Sequence, residues 1–353
     1  MENKRITILD SVRVIAVIMV MCHHYYSESR YPEIAHLFHF GFLGVPLFFI
    51  ISGFVISLTL ERTDNYKNFI KKRYIRLAPA MLVCSTITFV FFKFFYTGEG
   101  YGFSKQWVSY LIANTFIDPN VFNIPSGKVR YYYLDNAYWS LWVEICFYSL
   151  IGALYFFFKK KYLMLYTIIC IIGTPIFLLF YSSTGHHLFL KYNVFSEEQL
   201  AHLKVIARAC AFFNECFWFL VGLLLHKLFT NKTEKKWLWY MLATFSIILL
   251  KEKSLVVTLF SIVTFVFLMI FVYKPSLLSF MNNKTLVTLG IASYAMYLIH
   301  YHLGVVLVGY LSSEYQLGYF APIVVIGLVL GFGVVFYKFL ERPITSFYRR
   351  IIL

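Results

Sequence analysis

Apolar residues in this chain come in long unbroken runs. They show neither the alternation of a half-buried strand nor the one-sided stripe of a soluble helix. The runs Tyr162–Tyr181, Ser254–Tyr273 and Leu317–Tyr337 carry no charged residue. Each has about 20 residues, the length that crosses a hydrocarbon core. The whole pattern predicts ten spans, near 6–26, 39–60, 77–96, 137–158, 162–181, 205–229, 237–250, 255–273, 286–310 and 317–340. The seventh is short, and polar residues interrupt the third and fourth. No polar stretch reaches domain size and no internal repeat is evident. The expectation is all-α: a polytopic integral membrane helical bundle in one domain over residues 1–353, with no appended soluble domain.

The N-terminal segment has the outline of a signal peptide, with Lys4 and Arg5 before an apolar Val14–Cys22 stretch. Asp10 and Arg13 interrupt it, no small-residue cleavage site follows, and His23-His24 closes it. A retained first transmembrane helix fits better.

Composition agrees. Hydrophobic residues make up 60% of the 353 positions and charged residues only 14%, against about 25% charged in an ordinary soluble domain. The six cysteines (Cys22, Cys84, Cys146, Cys170, Cys210 and Cys216) all fall in apolar segments without a CxxC pair. They read as small buried hydrophobes, not as a disulfide framework or a metal site.

Charge placement sets an orientation. With the N-terminus in the cytoplasm, the inner segments, from Lys4, Arg5 and Arg62 round to Arg349 and Arg350, hold 21 of the 32 Lys and Arg. The inner side then carries +15 and the outer side +1, and ten spans put both termini in the cytoplasm. The basic balance is a topology signal and implies no nucleic-acid partner. One stretch exceeds that signal: Lys67, Lys71, Lys72, Arg73 and Arg76 lead into the third span. Arg73 and Arg76 are one turn apart on one helix face, where two planar guanidiniums can grip phosphates. Lipid-headgroup contact explains the same spacing.

The most costly residues point to chemistry. Arg13 and His24 are eleven residues apart in the first span, so they share a helix face about 16 Å apart along the axis. An intramembrane arginine faces a partner or polar cavity, and a histidine handles protons near neutral pH. Asp10, three residues from Arg13, makes a structural ion pair; Glu144, in the fourth span, is the other candidate partner of Arg13 or an orienter of His24. His23 points about 100° away from the Arg13 face, and His300 and His302, if helical, diverge by about 200° and cannot chelate together. No metal site is expected. Two long outer segments, 97–136 and 182–204, remain, with Tyr131–Tyr133, Tyr138 and Trp139 at a membrane re-entry point. Such aromatics mark the headgroup belt or stack on sugars.

Several short motifs occur in order: Leu9-Asp10-Ser11-Val12-Arg13 then His24; Gly44-Val45-Pro46-Leu47-Phe48-Phe49-Ile50-Ile51-Ser52-Gly53-Phe54; Arg73-Tyr74-Ile75-Arg76; Trp139-Ser140-Leu141-Trp142-Val143-Glu144; Ser293 to His300; and Glu341-Arg342-Pro343. Together they resemble the acyltransferase-3 family of membrane acyltransferases, along the whole chain. Many members carry Asp where this chain has Pro46, so any role of that Asp is not inherited. The resemblance implies a stand-alone O-acyltransferase, foremost an O-acetyltransferase, of the bacterial cytoplasmic (inner) membrane. Its donor would be cytoplasmic acetyl-CoA or another acyl-CoA, with no metal. Its acceptor would be an extracytoplasmic polysaccharide or lipid-linked glycan, such as lipopolysaccharide O-antigen, capsule or exopolysaccharide. Membrane lipid and a separate acyl-transfer protein are the further partners it allows. His24, Arg13 and Glu144 would be catalytic, and Arg73 and Arg76 would hold the donor. Trp139, Ser140, Ser52, Tyr297 and His300 would line the substrate site. The rival class is a transporter, since buried Arg, Glu and His also mark secondary transporters. The prolines do not fall in the matched positions that inverted repeats would show.

Overall fold

The computed structural model describes residues 6–352, with side chains as far as 347. Glu2, Lys4 and Arg5 lie outside the described residues, as do the side chains of Arg349 and Arg350. Among the described residues there are helices and no strand. The long ones, in chain order, are α1 (Thr7–Tyr25), α2 (Gly44–Glu61), α3 (Tyr66–Val90), α4 (Trp139–Phe157), α5 (Tyr162–Tyr181), α6 (Phe212–Thr230), α7 (Lys235–Glu252), α8 (Leu255–Tyr273), α9 (Lys284–Ile299), α10 (His302–Glu314) and α11 (Ala321–Phe336).

Eight helical segments of the described chain are long and apolar enough to cross a membrane, and a ninth arises if α9 and α10 form one broken span. The difference from ten lies at 237–250. A helix forms there as α7, but Lys235, Lys236, Lys251 and Glu252 at its two ends leave too short an apolar stretch. The expected span 286–310 is a helix pair bent by 80° between Ile299 and His302. The third span also differs. Asn65 accepts a hydrogen bond from the Asn68 amide at 2.9 Å and caps α3 eleven residues before the expected start at 77. Arg73 and Arg76 therefore sit inside the helix.

The chain forms two compact units. One contains residues up to 61 and from 218 onward. In it, α1 is fastened to the 281–300 region at both ends. Near its start the Ser11 hydroxyl donates to the Met281 carbonyl at 2.5 Å; at its end the Tyr25 hydroxyl donates to the His300 carbonyl at 2.8 Å. Between these points Gly290 of α9 lies so close that a Cβ there would stand 1.9 Å from the Asp10 carbonyl oxygen. In the same unit α2 meets α6 through a glycine pair. A Cβ on Gly53 would lie 2.3 Å from the Phe219 carbonyl oxygen, and one on Gly222 would lie 2.1 Å from that of Ile50. Small residues let helix backbones approach where no hydrophobic effect drives association.

The other unit covers residues 62–217. The Trp142 indole of α4 donates to the Ala209 carbonyl at 2.7 Å, and Tyr166 of α5 donates to the Cys216 carbonyl at 3.0 Å. The 97–136 segment folds on its own polar residues. The fully buried Asn123 accepts from the amides of Arg130 and Tyr131 and donates to the Tyr131 carbonyl. Buried Ser104 donates to the Leu134 carbonyl at 2.7 Å, and Asp135 caps the turn that starts α4.

Gly222→Val is expected to force α2 and α6 apart and destabilise the protein by about 1–3 kcal/mol. A lower unfolding temperature in detergent checks this; an unchanged one shows that the helices tolerate separation.

Candidate active site

The first group of candidate residues is built on α1. Arg13 and Asp10 are one turn apart and pair at 2.9 Å, with Asp10 only 3% exposed. The expected ion pair is therefore present, and the helix itself sets its geometry. Three turns on, the His24 ring is enclosed by aromatic neighbours: Tyr301 at 4.1 Å, His23 at 5.1 Å and His300 at 5.4 Å between centroids. His23 turns the other way, toward His39 and Phe42.

The break between α9 and α10 makes this arrangement. His300 closes the first helix and His302 opens the second. The expectation that both ride one continuous helix is thus corrected. The bend carries the Tyr301 ring onto His24, and His300 stays fully buried. The Nδ1 atom of His300 lies 2.6 Å from the Tyr297 carbonyl oxygen. A carbonyl only accepts, so Nδ1 carries a proton. Tyr297 packs its ring on His300 at 5.1 Å and on Phe48 of α2 at 5.7 Å. A Cβ on Gly304 would stand 2.1 Å from the Tyr25 hydroxyl oxygen. Only a glycine lets α10 pass the end of α1 and keep the Tyr25 hydrogen bond. Ser52 is buried in the body of α2.

The second group lies in the 62–217 unit. Arg73, half-buried in α3, sets its guanidinium 5.9 Å from the Phe69 ring and 6.0 Å from the Tyr148 ring. Tyr148 donates its hydroxyl to Glu144 on the same face of α4. Glu144 and Arg76 both act electrostatically on Arg73. The α3 and α4 residues thus form one cluster of two cations, one carboxylate and a tyrosine. Its net positive charge and planar donors suit an anionic ligand. Ser140 is buried at the start of α4 and donates to the Ala137 carbonyl at 3.2 Å; Trp139 beside it is half-buried.

Outside the spans, Tyr133 donates to Asp118, which also accepts from the Asn120 amide and side chain. Burial pushes the Asp118 carboxyl above its ordinary range, against the pull of those hydrogen bonds. Burial beside that carboxylate raises the Tyr133 phenol, so it remains a donor. Among the described residues no group of three or more His, Cys, Asp or Glu has the arrangement to hold a metal ion.

The chain matches a family described as an acyltransferase domain over residues 6–339. It belongs to the acyltransferase-3 family. Membership makes it an acyltransferase and a multi-pass helical membrane protein. It is 29% identical over 152 residues to an O-acetyl transferase of Shigella phage Sf6, covering 41% of this chain and 44% of that protein. It is 24% identical to a putative acetyltransferase of Acidianus two-tailed virus, over 93% and 87% of the two chains. It is 28% identical to the peptidoglycan O-acetyltransferase OatA of Listeria monocytogenes, over 45% of this chain and 25% of that one. The chain therefore spans under half the length of the phage and Listeria relatives. No solved structure matches it.

Two residues escaped the reading of this acyltransferase from its sequence. Tyr148 was visible as the residue four beyond Glu144, the spacing of helix neighbours. Tyr301 had no such signal, because no proline or glycine marks the break at 300–301.

Arg13→Gln removes the guanidinium that pairs with Asp10 at 2.9 Å, and the folded yield from detergent extracts is expected to fall sharply. The double change Asp10→Asn with Arg13→Gln removes both charges. It is expected to recover folded yield without recovering acyl transfer. Full activity in the double variant would reduce the pair to a structural role.

Proposed function

We propose that this acyltransferase is an O-acetyltransferase that takes acetyl from cytoplasmic acetyl-CoA and places it on a hydroxyl of an extracytoplasmic glycan. The observation that carries the reading is His24, held at the end of α1 among Tyr301, His300 and His23. A sugar hydroxyl is a weak nucleophile unless a base stands within hydrogen-bond reach. Neutral His24 takes the hydroxyl proton as the oxygen attacks the thioester carbon. The carbon–sulfur bond breaks, and the imidazolium returns the proton to the leaving thiolate. Arg13, three helix turns from His24, is too far to meet the thioester oxygen and instead holds the amides of the donor's arm.

The Arg73–Arg76 pair is the donor's phosphate clamp in this account, with Tyr148 and Glu144 fixing the Arg73 guanidinium. Glu144 so placed orients the clamp, a narrower role than a direct catalytic one. Ser52, Tyr297 and His300 support the His24 side, and Trp139 and Ser140 belong to the acceptor path. The bacterial cytoplasmic membrane is the location that this donor and acceptor require. The printed names of the phage and Listeria relatives, both O-acetyl transferases, support acetyl as the group moved.

The test uses purified protein in proteoliposomes with acetyl-labelled acetyl-CoA and added glycan. Wild type should release coenzyme A and label the glycan. His24→Ala should lower kcat by about a hundredfold or more with little change in donor KM. Arg73→Ala should chiefly raise donor KM. Turnover of both variants at the wild-type rate would remove these assignments.

A further inference from the structure

The break between α9 and α10 turns on Tyr301 itself. Its ψ of −80° departs from the about −42° of a regular helix, and the chain bends there by 80°. Where proline and glycine are absent, a sharp kink arises when a side chain enters the hydrogen-bond ladder. Two side chains do so here. His300 donates from Nδ1 to the Tyr297 carbonyl at 2.6 Å, and the Tyr25 hydroxyl donates to the His300 carbonyl at 2.8 Å. Gly304 leaves the room that Tyr25 needs, since a Cβ there would stand 2.1 Å from the Tyr25 hydroxyl oxygen. The bend is thus held by side chains of both α1 and the broken span.

What the bend delivers is a ring. The Tyr301 and His24 centroids are 4.1 Å apart, with the planes tilted by 46°. That is closer than the about 4.5–7 Å of ordinary aromatic pairs. A separation so short brings the ring faces, and not only their rims, into contact. It is also well inside the about 6 Å at which an aromatic face attracts a cation. The other rings around His24 stand farther off, His23 at 5.1 Å and His300 at 5.4 Å.

The groups around His24 decide how it carries a proton once it has taken one. His23 comes from its own helix; His300, Tyr301 and His302 come from the broken span. All three histidines act electrostatically on His24. An imidazole repels a neighbouring cation once it is protonated itself. The aromatic face of Tyr301 attracts one.

We infer that the Tyr301 ring is the seat of the imidazolium that forms at His24 during acyl transfer. The inference rests on the proposed role of His24 as base and names what stabilises the charge which that role creates. As His24 takes the acceptor proton, its ring becomes a cation against the Tyr301 face. As it returns the proton to the leaving thiolate, the charge is gone. The attraction lasts only as long as the charge, so it lowers the barrier without tightening the bound ground state. Tyr301 acts through His24 and is a positioning residue. Its ring face carries the effect, and its hydroxyl does not.

The test uses the full chain in proteoliposomes and reads coenzyme A release from acetyl-CoA. Lipopolysaccharide is one acceptor and water, in glycan-free samples, is the other, since either passes its proton to His24. Tyr301→Phe should keep kcat within about threefold, and Tyr301→Leu should lower it about tenfold with donor KM unchanged. Phenylalanines with one, two and three ring fluorines at position 301 keep the ring's shape and drain its negative face. Across that series log kcat should fall in proportion to the number of fluorines, to about tenfold at three. A residue that merely packs would give a flat series. In the His24→Ala background the residual rate should not respond to fluorine at all. Unfolding temperatures in detergent show which variants are folded, and the fluorinated series decides the matter if Tyr301→Leu is not. A flat series in the enzyme that keeps His24 overturns the inference, and so does a Tyr301→Phe loss as large as that of Tyr301→Leu. A hundredfold loss in His24→Ala beside a flat series removes the role of Tyr301 alone. An undiminished rate in His24→Ala, or no release from wild type with either acceptor, removes the base itself and the role of Tyr301 with it.

Discussion

A charge in the middle of a transmembrane helix has to be satisfied by protein, and the Arg13–Asp10 pair is where this chain meets that constraint. Both residues belong to α1, one turn apart, and they pair at 2.9 Å. The pair fixes which side of α1 faces the helix bundle, because the charged face cannot face hydrocarbon. Gly290 lets α9 close on that face, and Ser11 and Tyr25 tie the two ends of α1 to the 281–300 region. Once α1 is so placed, the position of His24 on the same face follows from helix geometry alone.

The environment of His24 is then the work of a break. A straight α9–α10 helix would send Tyr301 and His302 off in different directions. The 80° bend instead turns Tyr301 onto the His24 ring, while His300 keeps its Nδ1 on the Tyr297 carbonyl. The neighbours of His24 on these helices are aromatic rings and imidazoles. In the 62–217 unit, Arg73 meets two aromatic faces, and Glu144 is engaged by Tyr148. In the proposed reaction the first group would move the acceptor proton and the second would hold the donor's negative charge.

Much of this was legible in the sequence because it depends on spacing along single helices. The Arg13–His24 face, the Asp10 pair and the Arg73–Arg76 turn all follow from the 3.6-residue period. The family motifs gave the same residues, and the match over residues 6–339 bears out that resemblance. What escaped reading depends on contacts between helices or on local breaks. The bend at 300–301 has no proline or glycine to announce it. Helix α7 looked like a span because its middle is apolar, yet its charged ends shorten the usable stretch. The early start of α3 turned on one Asn65 side chain. The polar core of 97–136, built around Asn123 and Asp118, joins residues whose spacing carries no periodic signal.

The central claim is that His24 removes the acceptor proton. The most direct measurement is the pH dependence of acceptor-dependent kcat/KM, for wild type beside His24→Ala. The account predicts a wild-type rate that rises with pH as a single group loses its proton, and a variant whose small residual rate lacks that rise. The same rising limb and comparable rates in His24→Ala would contradict it and move the base elsewhere.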